Sequence, residues 1–138
     1  MPVSDEIGIY FAEDTPPIRC TSLGEMEAIL RGLHGNCHPE KPICVVIEVP
    51  HYQINLGLGT DPTFVMIHVE PYDGEYYITV GDPEAGGDVG FHGCGNWTPF
   101  DCRSFIPFND ALAVVREFVR DQQRSARVRW ENWNQEPV

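Results

Sequence analysis

A helical stripe near the C-terminal end constrains this chain most. Phe108, Ala111, Leu112, Val115, Phe118 and Val119 recur at the i, i+3, i+4, i+7 spacing that gathers apolar side chains on one helix face. Pro107 suits the first turn, where a missing N–H costs nothing, and Asp110 lies near the positive end of the helix dipole. No glycine or proline marks the end, so the helix is expected to fade between Gln122 and Arg124. Arg116, Arg120 and Arg124 repeat every four residues on another face and read as solvated, with Glu117 and Asp121 as local partners. The alternation in Arg127-Val128-Arg129-Trp130 predicts a half-buried strand with Val128 and Trp130 inward, Trp130 as a core anchor.

The upstream chain supplies a surface for that stripe. Ile7, Ile9 and Phe11 predict a strand over Glu6–Ala12, and Glu13–Cys20, with Pro16-Pro17, reads as a loop. Ser22 and Glu25 form a capping box before the apolar positions Leu23, Met26, Ile29, Leu30 and Leu33, which predicts a helix over Leu23–His34 stopped by Gly35. Ile43–Val49 is a continuous apolar run suited to a central strand. Ile54, Leu56 and Leu58 alternate with polar or glycine positions. Thr60-Asp61-Pro62 is a turn, and Asp73-Gly74 predicts a hairpin between Phe64–Val69 and Glu75–Val80. The expected fold is α+β, one domain over residues 1–138: an antiparallel sheet of about five to seven strands with two helices packed on one face. The helices are expected to cover Val45, Ile47, Val65, Ile67, Ile78 and Val80.

Periodicity stops between Gly81 and Arg103, a stretch with six glycines and two prolines. Asp82, Glu84, Asp88 and Asp101 stand there beside Phe91, Trp97 and Phe100. Acidic groups interleaved with exposed aromatics suit a surface that docks on a basic protein, the aromatics acting as anchors. The other reading is a loop that folds its own aromatics onto the sheet edge, with a short strand near Asp88–His92.

Charge sets the class of partner. The formal net charge is −12, and residues 1–115 carry 4 Lys or Arg against 17 Asp or Glu. Phosphates repel such a surface, so direct nucleic-acid binding is excluded, and a basic protein partner is favoured through steering. Acidity that serves solubility alone is the competing reading. No apolar run approaches the roughly 20 residues that span a bilayer. The first residues lack the basic and apolar regions of a signal peptide, which makes the cytoplasm the expected location. Cys20, Cys37, Cys44, Cys94 and Cys102 are odd in number and irregularly spaced, which fits reduced thiols there.

No constellation carries chemistry. His34, Cys37, His38, Cys44, His51, His92, Cys94 and Cys102 supply metal-ligand types, but without a CxxC or HExxH spacing. Gly57-Leu58-Gly59 lacks the following helix of a phosphate loop, and Gly81–Gly95 lacks the lysine and hydroxyl residue of a P-loop. The reading is a protein that is not an enzyme, with no catalytic residue, no cofactor and no metal. A small-molecule- or zinc-binding housekeeping domain is the alternative.

The order Pro107, Ala111-Leu112, Phe118, Trp130 resembles the C-terminal signature of immunity protein family one from bacterial polymorphic toxin systems. That family often places a glycine and a proline between helix and strand, where this chain has Gln122-Gln123-Arg124-Ser125-Ala126. The resemblance implies a cytoplasmic immunity protein that binds and occludes a cognate toxin domain, one that targets nucleic acids, deaminase-like toxins included. The acidity agrees, because an acidic protein can fill a basic nucleic-acid cleft as a charge mimic. Five motif positions look structural: Pro107, Ala111, Leu112, Phe118 and Trp130. The expected toxin-binding residues come from the residue reading instead: Asp73, Glu75, Asp82, Glu84, Asp88, Phe91, Trp97 and Asp101. Trp133, Asn134 and Glu136 could extend that docking edge. The oligomeric state is unassigned.

Overall fold

The apolar run Ile43–Val49 becomes β3, inside a nine-stranded sheet in the computed structural model of the chain. The structure describes residues 7–11, 15–38, 40–69, 75–93 and 96–132. The elements are β1 (Ile7–Tyr10), β2 (Ile18–Cys20), α1 (Leu23–Asn36), β3, β4 (Tyr52–Leu58), β5 (Val65–Val69), β6 (Glu75–Val80), β7 (Asp88–Gly93), β8 (Asn96–Asp101), α2 (Phe108–Asp121) and β9 (Arg129–Asn132). The main path runs β2-β1-β3-β4-β5-β6-β9, antiparallel throughout. The β7–β8 hairpin branches from the start of β3 through a single parallel pairing, Ile43 with His92.

The fold is α+β, with more strands than the five to seven read from the sequence. β2 has only three residues after Pro16-Pro17, too short for alternation to show. Glycines and Pro99 interrupt the pattern of β7 and β8; the short strand near Asp88–His92 of the second reading is present as β7, and it pairs with β8 as a hairpin. The strand expected over Glu6–Ala12 is Ile7–Tyr10 among the described residues; Glu6, Ala12, Asp73-Gly74, Cys94, Trp133, Asn134 and Glu136 lie outside them.

Both helices cover one sheet face. Register places Val45 opposite Leu56, Ile47 opposite Ile54, and Ile54 opposite Ile67, so these side chains share that face with Met26, Leu30 and the α2 stripe. Ile78 does not join them. It pairs with Met66 on the opposite face, while Ile67 pairs with Tyr77, so Ile78, and Val80 two residues on, point away from the helices.

The caps follow the sequence at one end and depart from it at the other. Ser22 Oγ accepts from the Glu25 N–H at 3.1 Å and Glu25 reaches back to the Thr21 N–H. α1 runs through Gly35 and stops at Cys37, because the cap N–H there finds the His34 carbonyl. α2 ends with Gln122 in the left-handed region (φ 58°), its N–H donating to Phe118 O, so glutamine takes the place glycine usually fills. Arg120 meets Asp121 as expected, whereas Arg116 reaches Glu27 on α1 and Arg124 lies 3.8 Å over the Tyr77 ring.

A second core sits on the other sheet face. Phe64 stacks on Phe100 at 3.8 Å and meets Phe91 edge-on at 5.1 Å, with Phe105, Met66 and Ile78 around them. Gly57 makes room for it, since a Cβ there would overlap Thr63, Phe91 and Phe64. The hairpin therefore works as a lid on half of the face. Beyond it lie Glu48, which accepts from Tyr10 and Gln53, and the stacked pair His68 and Tyr76.

Candidate partner-binding surface

Strand alternation divides the hairpin into an inward and an outward side. Val89, Phe91 and Phe100 point inward, and Phe91 is only 1% exposed. This corrects the expectation of Phe91 and Phe100 as exposed anchors: the second core supplies apolar partners on the uncovered sheet face, and both rings are buried against Phe64. The outward side carries Asp88, Gly90 and His92 on β7, opposite Asp101, Pro99 and Trp97 on β8.

Trp97 is the one large hydrophobic exposed among the described residues, at 59%. Its indole lies across Gly90, where a Cβ would overlap the Nε1 edge of the ring. Glycine thus lets an aromatic plane lie flat on the strand, flanked by Pro99 and His92. A flat, solvated ring of this kind has the area and rigidity that interface anchors need.

The acidic end of the same side is unusual. Asp88 and Asp101 are direct cross-strand partners. Cys102 N–H donates to Gly87 O, which makes 87 and 102 a hydrogen-bonded pair, and alternation makes 88 and 101 a non-hydrogen-bonded one. Side chains approach most closely at such pairs, and like charges there are unfavourable by roughly 0.2–1 kcal/mol. Asp101 has a local duty, since its Oδ1 accepts from the Arg103 N–H and caps the 3-10 turn Cys102–Ser104. No ion pair among the described residues neutralises Asp88 or Asp101.

Asp82 and Glu84 lie in the segment leading into β7, where Asp82 Oδ1 accepts from the Glu84 N–H at 2.9 Å. They precede Asp88 in sequence and stand apart from Trp97, which is on β8. Glu75 begins β6, and only its backbone is described; Asp73 lies outside the described residues. The sequence gives no signal for Gly90 and Pro99 on this surface, and His92 stands out there only as a metal-ligand type. Asp61-Pro62 read only as a turn, yet Asp61 belongs to a mostly apolar cleft of about 410 Å³ beside Asp82.

The motif positions at the C-terminal end serve packing. Ala111, Leu112 and Phe118 are buried on α2, and Pro107 stands at its N-cap. Trp130 is half-buried on β9, its Nε1 donating to Ser125 O at 2.9 Å. Hydrogen bonds from Ser125 and Arg127 hold the Glu117 carboxyl below its ordinary range, which fastens the α2–β9 connection.

Among the described residues, no three His, Cys, Asp or Glu side chains are grouped to hold a metal ion. Cys20, Cys37 and Cys102 are separate thiols, and burial pushes Cys20 and Cys37 up, away from the reactive thiolate. No helix among the described residues is long and apolar enough to cross a membrane.

Residues 17–132 match the family model described as immunity protein Imm1. No curated protein matches the chain.

Proposed function

The chain belongs to the immunity protein Imm1 family, and from that premise we propose that it protects its producing cell by docking the outward side of the β7–β8 hairpin on a cognate toxin domain. The observation that carries the choice of surface is the uncompensated Asp88–Asp101 pair on the same strand side as the exposed Trp97. The acidic end steers a basic toxin, and Trp97 supplies the desolvated anchor that charge alone does not provide. A toxin that grips nucleic acid, a deaminase among them, has a basic cleft of matching sign. Blocking that cleft needs no catalytic residue, no cofactor and no metal from this chain, and it takes place in the cytoplasm as the work of a single domain.

The test is growth rescue. The toxin-like domain encoded beside the gene is expressed in a bacterium with and without this protein. Arrest without it and recovery with it support the reading, and loss of recovery in Trp97→Ala with Asp88→Lys places the interface on the hairpin. A folded double variant that still protects fully would move the interface elsewhere.

A further inference from the structure

We infer that the cleft between the β4–β5 turn and the segment leading into β7 receives one lysine or arginine side chain of the toxin. This rests on the immunity reading above and names the contact that would fix the partner's register. The cleft measures about 410 Å³, which is the lower range of ligand-binding pockets. Pro62, Ala85, Val89 and Phe105 make its lining largely apolar, and the exposed Asp61 and Asp82 belong to the same lining. An apolar lining that includes two exposed carboxylates matches a basic side chain, whose alkyl stem buries while its charged head meets the acids.

Both carboxylates are already held in place. Asp61 Oδ1 accepts from the Phe108 N–H and Asp82 Oδ1 from the Glu84 N–H, each at 2.9 Å. Neither Oδ2 has a hydrogen-bond donor among the described residues, and no ion pair there involves either residue. One oxygen of each of these exposed carboxylates is thus spent on orientation, which leaves the other for a partner's cation. The contrast with a second cleft, of about 350 Å³ beside Tyr52 and Tyr77, supports the assignment. That cleft contains its own cation, Arg124 over the Tyr77 ring, whereas this one has acids and no basic residue in its lining.

The experiment titrates the labelled protein with acetyl-Gly-Arg-Gly-amide, the lysine analogue and the norleucine analogue, following backbone amide shifts. Saturable shifts clustered at Asp61, Ala85, Val89 and Phe105 are expected with the arginine or lysine peptide. They should fall at least tenfold in apparent affinity in Ala85→Trp, which fills the cleft, and in Asp82→Asn, which keeps the oxygen that accepts from Glu84. Equal binding of norleucine would make the occupant apolar and overturn the inference, as would the absence of saturable shifts in the folded protein. Growth rescue separates the two readings. Full protection by Ala85→Trp, with wild-type protection intact, sinks the cleft alone; failure of wild-type protein to protect sinks the immunity reading, whatever the peptides show.

Discussion

Asp61 Oδ1 accepts the backbone N–H of Phe108 at 2.9 Å, so the turn between β4 and β5 caps a helix that begins 47 residues later. Pro107 occupies the N-cap position and has no side-chain oxygen to offer, which leaves this distant carboxylate to satisfy an orphan donor at the positive end of α2. Asp61→Ala should therefore destabilise the protein by about 1 kcal/mol, the usual cost of a lost cap. Asp61→Asn keeps the acceptor and should cost less. Urea unfolding of both variants checks the order, and equal losses would place the effect outside the cap.

His34 ties the same corner from the other side. Its Nδ1 accepts from the Gly59 N–H at 3.0 Å, and its ring stacks on Phe108 with centroids 3.7 Å apart. An accepting Nδ1 cannot carry a proton. Burial pushes the His34 pKa below the ordinary 6.5, with Arg31 adding to that push and Asp61 opposing it. A folded pKa below the unfolded one makes this contribution fully present above about pH 6.5, and lost as pH falls through the folded value. Stability should decline between pH 7.5 and 5.5 more steeply in the native protein than in His34→Gln. Parallel pH profiles for the two proteins would contradict it.

Much of the frame was legible in the sequence because single elements carried their own signals. The α2 stripe, the Ser22–Glu25 box and the run Ile43–Val49 each fold as their local pattern demands. The hairpin was only half legible, as the second reading of a short strand near Asp88–His92 with its aromatics folded onto the sheet, and for a physical reason. Gly90 and Pro99 face each other where a strand ordinarily shows alternating side chains, and Gly90 is there because the Trp97 indole occupies its outward space. The inward turn of Phe91 and Phe100 likewise depends on a second core whose other members, Phe64, Met66 and Ile78, are far away in sequence. The acidic character of the candidate surface could be read from composition, but the pairing of Asp88 with Asp101 required register. Asp61 gave no warning of its cap, because its partner lies across the fold.

Gly57 tests that second core directly. A Cβ at this position would overlap Thr63, Phe91 and Phe64, and Thr63 is itself fixed by its hydroxyl donating to Gly57 O at 2.8 Å. Gly57→Ala should destabilise by about 1–3 kcal/mol, as overpacking of a filled core does. Thermal unfolding gives the loss, and shifted amide resonances should concentrate in β7 and β8. A variant as stable as the native protein would mean that the hairpin seats loosely on the sheet.

Asp88 separates stability from function most sharply. It faces Asp101 at a closely spaced cross-strand pair, and Asp101 is held by its cap to Arg103 N–H. Asp88→Asn removes the repulsion while keeping nearly the same shape, so the free protein should gain roughly 0.2–1 kcal/mol. If the pair steers a basic toxin, the same change should slow association and flatten its salt dependence, with little effect on dissociation. Urea unfolding and stopped-flow binding to the cognate toxin domain read the two sides independently. A gain in stability with unchanged association would leave the pair without a role in encounter. A loss of stability would mean that Asp88 makes a favourable contact in the fold, and the charge argument for this surface would fall.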